Sequence, residues 1–80
     1  MNEKYVTTDL GLCCALITAG HPLDCFDTSE KRVKFIFKTR EDMDRDVTAF
    51  YENGLPVDAR TFFENIKMVK SRLHSQSVNK

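Results

Sequence analysis

The stretch Asp9–Gly20, DLGLCCALITAG, carries apolar residues on nearly every side of the helix it predicts, with Cys13 and Cys14 adjacent at its centre. Thr8 or Asp9 supplies an N-cap oxygen, and Gly20 stands where a helix closes on a left-handed residue. Leu10, Cys13, Cys14 and Ile17 follow the spacing of one buried stripe, while Leu12 and Leu16 lie off it. Such a helix needs cover from two directions. A sheet can provide one, and a different helix or a second chain the other. Gly11 in the first turn costs about 1 kcal/mol relative to alanine, so the helix depends on packing rather than propensity.

Working outward, Tyr5-Val6-Thr7 is β-prone and predicts a short first strand. On the other side, His21-Pro22 breaks the helical pattern and Leu23–Asp27 reads as a modest strand. Thr28–Lys31 has turn composition. Arg32–Lys38, RVKFIFK, is the clearest strand: Val33, Phe35 and Phe37 share one face, and Arg32, Lys34, Ile36 and Lys38 the other. A hairpin over residues 22–38 follows, with one face on the core and the other partly wet. Thr39 is read as the N-cap of a second helix whose early acids Glu41, Asp42 and Asp44 suit the positive end of its dipole. Met43, Val47 and Phe50 form its apolar stripe, and Asn53-Gly54 ends it. After the connector Leu55-Pro56-Val57, Asp58 caps a third helix along which Ala59, Phe62, Ile66, Val69 and Leu73 make a narrow seam, widened by Phe63.

The expected fold is therefore α+β, ordered β-α-β-β-α-α, with the hairpin covered by helices. Residues 1–75 form a single domain and residues 76–80 a polar C-terminal tail. Eighty residues lie near the lower limit for a self-sufficient core, and a second subunit is a common supplement. The surplus on the first helix and the seam of the third point to a homo-oligomer, a dimer first. Leu12, Leu16, Tyr51 and Phe63 are its candidate interface residues.

Neither composition nor motif suggests catalysis. Net charge is zero, but residues 1–30 sum to −4 and residues 31–80 to +4, an asymmetry that can build a basic face on a neutral protein. Three cysteines, Cys13, Cys14 and Cys25, have no framework spacing, and no secretory signal precedes them. A reduced, cytoplasmic protein using thiols as small apolar residues is expected. No run approaches the ~18 apolar residues of a membrane span. With His21 and His74 these cysteines are the only soft ligands, and CxxC and HxxxH spacings are missing, so no metal or other cofactor is expected. The acids of REDMDRD alternate with cations at a capped helix start and read as a solvated surface. A Gly-rich phosphate loop, GxSxG and HExxH are all missing. The expectation is a protein that is not an enzyme.

Binding is the class left. Arg32, Lys34 and Lys38 project from one face of the clearest strand, and Arg60, Lys67, Lys70 and Arg72 outnumber Glu64 on the last helix. These seven are the candidate ligand-binding residues, with phosphates of a nucleic acid or nucleotide as target. Lysines on an edge strand also block aggregation, and Phe35 and Phe37 face away from the cations, as core residues do. The alternative is an inhibitor or adaptor that docks on a host protein through an apolar or aromatic patch, drawn from Phe50, Tyr51, Phe62 and Phe63.

The stretches YVTTDLGLCCAL, RVKFIF, FYENG and VDARTFFENIKMVKSRL, spread over residues 5–73, resemble a family of short proteins of bacteria, archaea and their phages known only as a domain of unknown function. Its pattern is YxTxDLxL, RVxFxF and VDAxxxFENxKxxKSR. The resemblance implies that two alanines commonly stand where this chain has Cys13-Cys14, which favours a packing role for the pair. It brings no activity. It implies a phage or mobile-element setting, where very small proteins act as inhibitors, as sponges for defence signals or as accessories to replication.

Overall fold

The structure, a computed structural model, describes residues 4–78, with side chains to residue 75. The elements are β1 (Lys4–Thr7), α1 (Leu10–Thr18), β2 (Leu23–Asp27), β3 (Lys34–Lys38), α2 (Met43–Tyr51) and α3 (Ala59–Val78), in the expected α+β order. The sheet is three-stranded and antiparallel, with order β1-β3-β2. β3 is thus central, which corrects the edge-strand reading of its lysines. The segment with the strongest alternation takes the position that pairs on both sides, and four-residue β1 closes its other edge. Arg32 lies in the bend before the strand.

Pairing places Tyr5, Phe37 and Leu23 in one cross-strand row and Thr7, Phe35 and Phe26 in another, both on the face toward the helices. Phe35 and Phe37 are buried, and Phe26 meets Phe35 edge-to-face with ring centroids 5.9 Å apart. α1 packs on this layer and also against α2 and α3. Leu12, Cys13, Cys14 and Leu16 are all 0% exposed in the single chain, and Ala15 is buried too. The second direction of cover is therefore α3, reinforced by Asn65 Nδ2 donating to Thr18 Oγ1 at 2.9 Å. Leu12 and Leu16 are not presented to another subunit, which removes them as interface residues. Both thiols of the Cys13–Cys14 pair are closed off from solvent, and the hydrogen bond with Cys13 lowers the pKa of the Cys14 thiol against the opposing effect of burial. The neighbouring sulfur and burial both push the Cys13 thiol well above its ordinary range.

Local chemistry sets the ends. Asp9 caps α1, its Oδ1 accepting from Leu12 N–H at 3.2 Å, and Gly11 leaves room for that carboxylate and for the Phe50 ring. At the other end Gly20, at φ 109°, donates to Ile17 O, and His21 N–H reaches Leu16 O. This is a Schellman closure. α2 ends the same way on Asn53, at φ 62°, with Gly54 N–H donating to Ala49 O. Its N-cap is Asp42 rather than Thr39, because a turn at residues 41–42 precedes the helix and Met43 N–H already donates to Arg40 O. Asp58 caps α3 through Thr61. That helix runs to Val78, so the tail expected over 76–80 begins inside it: nothing in Gln76-Ser77-Val78 breaks a helix that is already propagating. Residues 79–80 lie outside the described residues.

Candidate functional site

Two places on the molecule concentrate polar chemistry. The first is the sheet face turned away from the helices. There Val6, Ile36 and Cys25 form one row across all three strands. Lys4 stands opposite Lys38 at one end of it, and Lys34 opposite Asp27 at the other. Val6 is 47% exposed, Cys25 is exposed and free, and Ile36 is half-buried. The result is an open apolar strip between lysines. Two of those lysines already have anionic partners, Lys4 with Asp24 and Lys34 with Glu30 at 3.4 Å. Lys38 has no ion pair among the described residues.

The seven cations expected to act together are divided. Lys34 and Lys38 sit on the open sheet face, with Arg32 in the adjoining bend. Arg60, Lys67, Lys70 and Arg72 belong to α3, which packs on the opposite side of the sheet. Lys67 lies 5.1 Å over the Phe63 ring and 3.7 Å from Glu64. Arg72 lies 5.5 Å over the Phe26 ring and donates weakly to Met68 Sδ. Half of the basic helix is thus engaged in covering aromatics. Tyr51 and Phe63 are 58% and 56% exposed, and Tyr51 Oη donates to Asp9 Oδ2.

The second place was not apparent from the sequence. His21, at the C″ position of the α1 closure, is 2% exposed. Its Nε2 lies 2.7 Å from Oδ2 of Asp46, which is 8% exposed on the inner side of α2. The bond to His21 holds the Asp46 carboxyl below the usual carboxylate range, and Arg45 adds to the effect. An ionised carboxylate only accepts, so Nε2 carries the proton and, in the neutral ring, Nδ1 is a bare acceptor. That nitrogen is buried without a hydrogen-bond partner, and Asp42 Oδ1 stands 4.0 Å from it. Asp42 makes no side-chain cap bond, so its carboxylate is available in that direction. Arg45 touches both acids, at 3.6 and 3.4 Å, and Arg40 Nη1 ties the preceding turn to Gly20 O. One acid of REDMDRD is therefore a buried partner rather than solvated surface. The signal available in the sequence was the four-residue spacing of Asp42 and Asp46, which puts both on one helical face.

No helix among the described residues is long and apolar enough to cross a membrane. No curated protein and no solved structure matches the chain. A family model does, over residues 2–75, nearly the full length. With YVTTDLGLCCAL, RVKFIF and the α3 segment all inside that match, the chain belongs to the family described as Domain of unknown function (DUF5659).

Proposed function

We propose that the protein is a non-enzymatic binding module whose open sheet face takes a phosphate-bearing ligand, with a single-stranded nucleic acid as the best fit. One observation supports this: the cross-strand strip Val6–Ile36–Cys25, bounded by Lys4, Lys34 and Lys38, on a face left open to solvent. A strip that is apolar along its centre and cationic at both ends can hold sugar and base surfaces while the lysines neutralise phosphates. The strip bears no aromatic ring, so contact is expected to be weak and tolerant of sequence. The phage or mobile-element setting implied by the family resemblance accommodates such an accessory.

Fluorescence anisotropy of a labelled oligonucleotide, repeated at stepped salt, tests the reading. Affinity should fall steeply as salt rises, with log K linear in log salt, and K34E/K38E should abolish it. An absence of binding to single strands, duplex and nucleotides, or binding indifferent to salt, rejects it. The exposed Tyr51 and Phe63 favour a second reading, docking of a host protein near the α2–α3 connector. Loss of partner capture in Y51A/F63A with K34E/K38E unaffected would select that alternative.

A further inference from the structure

We propose that His21 and Asp42, braced by Asp46, form a binding site for a divalent transition-metal cation of the zinc class. Three features converge. His21 Nδ1 is a buried ring nitrogen with no hydrogen-bond partner, an arrangement that costs stability unless something fills it. Its nearest anionic neighbour, Asp42 Oδ1, is 4.0 Å away, which is beyond hydrogen-bond reach. Metal–nitrogen and metal–oxygen bonds of about 2.0–2.2 Å span this gap at a wide angle, about 130–180°, so tetrahedral coordination needs the half-exposed Asp42 carboxylate to move a few tenths of an ångström toward Nδ1. Asp46 holds the far side of the ring through Nε2 at 2.7 Å, the carboxylate–histidine pairing that fixes the tautomer and orientation of a metal-binding imidazole. The three side chains form one compact cluster, their nearest ligand atoms all within 4.8 Å of one another, with His21 and Asp42 facing the ion and Asp46 behind the ring.

The Asp42 side of the site faces solvent: Asp42 lines a surface cavity with Arg40, Glu41 and Arg45, whereas His21 Nδ1 is buried behind it, so water can reach a bound cation only from the Asp42 side. Imidazole plus carboxylate suits zinc, cobalt or nickel better than the hard, all-oxygen cations. Arg45 is the competitor, because its guanidinium already touches Asp42. That contact is long, and the Arg45 side chain is 73% exposed, so it can swing into solvent when an ion arrives.

Untagged protein carrying C25S, which removes the exposed thiol as a stray ligand, is titrated with Co²⁺ and with Zn²⁺ after chelator treatment. Visible d–d absorption should grow to a one-to-one endpoint with Co²⁺, and Zn²⁺ should raise Tm. D42N, at a half-exposed position that leaves the fold intact, should weaken binding at least tenfold. D46N should weaken it about 10- to 100-fold through loss of the bracing bond. H21Q should abolish it, and if H21Q does not fold, D42N decides alone. No absorption and no Tm shift up to millimolar metal overturns the proposal. So does binding that D42N leaves unchanged.

Discussion

The C-terminal ends of α1 and α2 close with the same pair of backbone bonds and are put to opposite uses. In α1 the left-handed residue is Gly20, and the next position holds His21, which is carried into the core. In α2 the left-handed residue is Asn53 and the next is Gly54, both exposed. The backbone geometry is common to both, and the side chain at C″ decides what it achieves. Usually that position contributes an apolar contact. Here the α1 closure instead delivers an imidazole between two carboxylates of α2, so one hydrogen-bond network fixes how the two helices meet. The α2 closure turns the chain toward the connector and contributes little beyond that.

The sharpest test of this contrast is His21→Ala. It leaves the Asp46 carboxylate buried with only Arg45 in reach, and about 3 kcal/mol of stability should be lost. Urea unfolding in the presence of chelator measures it, separating the network from any metal. A loss under about 1 kcal/mol would mean the imidazole merely fills space. Acid should reveal the same bond. The Asp46 pKa is lowered in the folded state, so its contribution is complete above the unfolded carboxyl value of about 3.9 and fades as pH falls through the lower folded value. In Asp46→Asn that part of the acid dependence disappears, whereas the wild type steepens below about pH 4.

Next in size come the left-handed residues themselves. Gly20→Ala forces a Cβ onto φ 109°, and although no atom lies within 4 Å of it, the backbone strain alone should cost about 1–2 kcal/mol. Asn53 sits at φ 62°, which asparagine tolerates, so Asn53→Gly should change stability by only a few tenths of a kcal/mol. Equal effects at the two ends would show that the α1 closure has no special weight.

What could be read from the sequence follows the same division between backbone chemistry and long-range placement. β3 was legible because its alternation is strict, and α3 because its seam keeps one period from Phe62 to Leu73. Both helix closures were visible as Gly20 and Asn53-Gly54. Leu12 and Leu16 were recognised as needing cover, but their spacing cannot say whether a helix of the same chain or a second copy supplies it, and here α3 does. The seven cations looked like one set because they cluster in the later part of the chain, yet the sheet separates them. His21 and Asp46 are 25 residues apart; Asp46 falls on the inner stripe of α2, three residues after Met43 and four before Phe50, whereas His21 lies on no stripe. Periodicity could place the acid on the buried face, but its partner arrives through a chain reversal and leaves no periodic trace of its own.

The smallest expected effect concerns the sheet, whose two faces repeat the contrast between a buried side and one left open. Phe35 and Phe37 are packed beneath α1, while Lys34 and Lys38 on the same strand project outward. Reversing both lysines in K34E/K38E gives up one contact to Glu30 and introduces two acids opposite and near Asp27 and Asp24. Exposed pairs are worth little, so stability should shift by no more than about 0.5 kcal/mol by urea unfolding. A larger loss would mean that these cations hold the sheet together by offsetting the acids of β2. In that event the missing nucleic-acid binding of the same variant would report damage to the strand, and the ligand reading would need Lys38→Gln alone, which removes one charge and adds none.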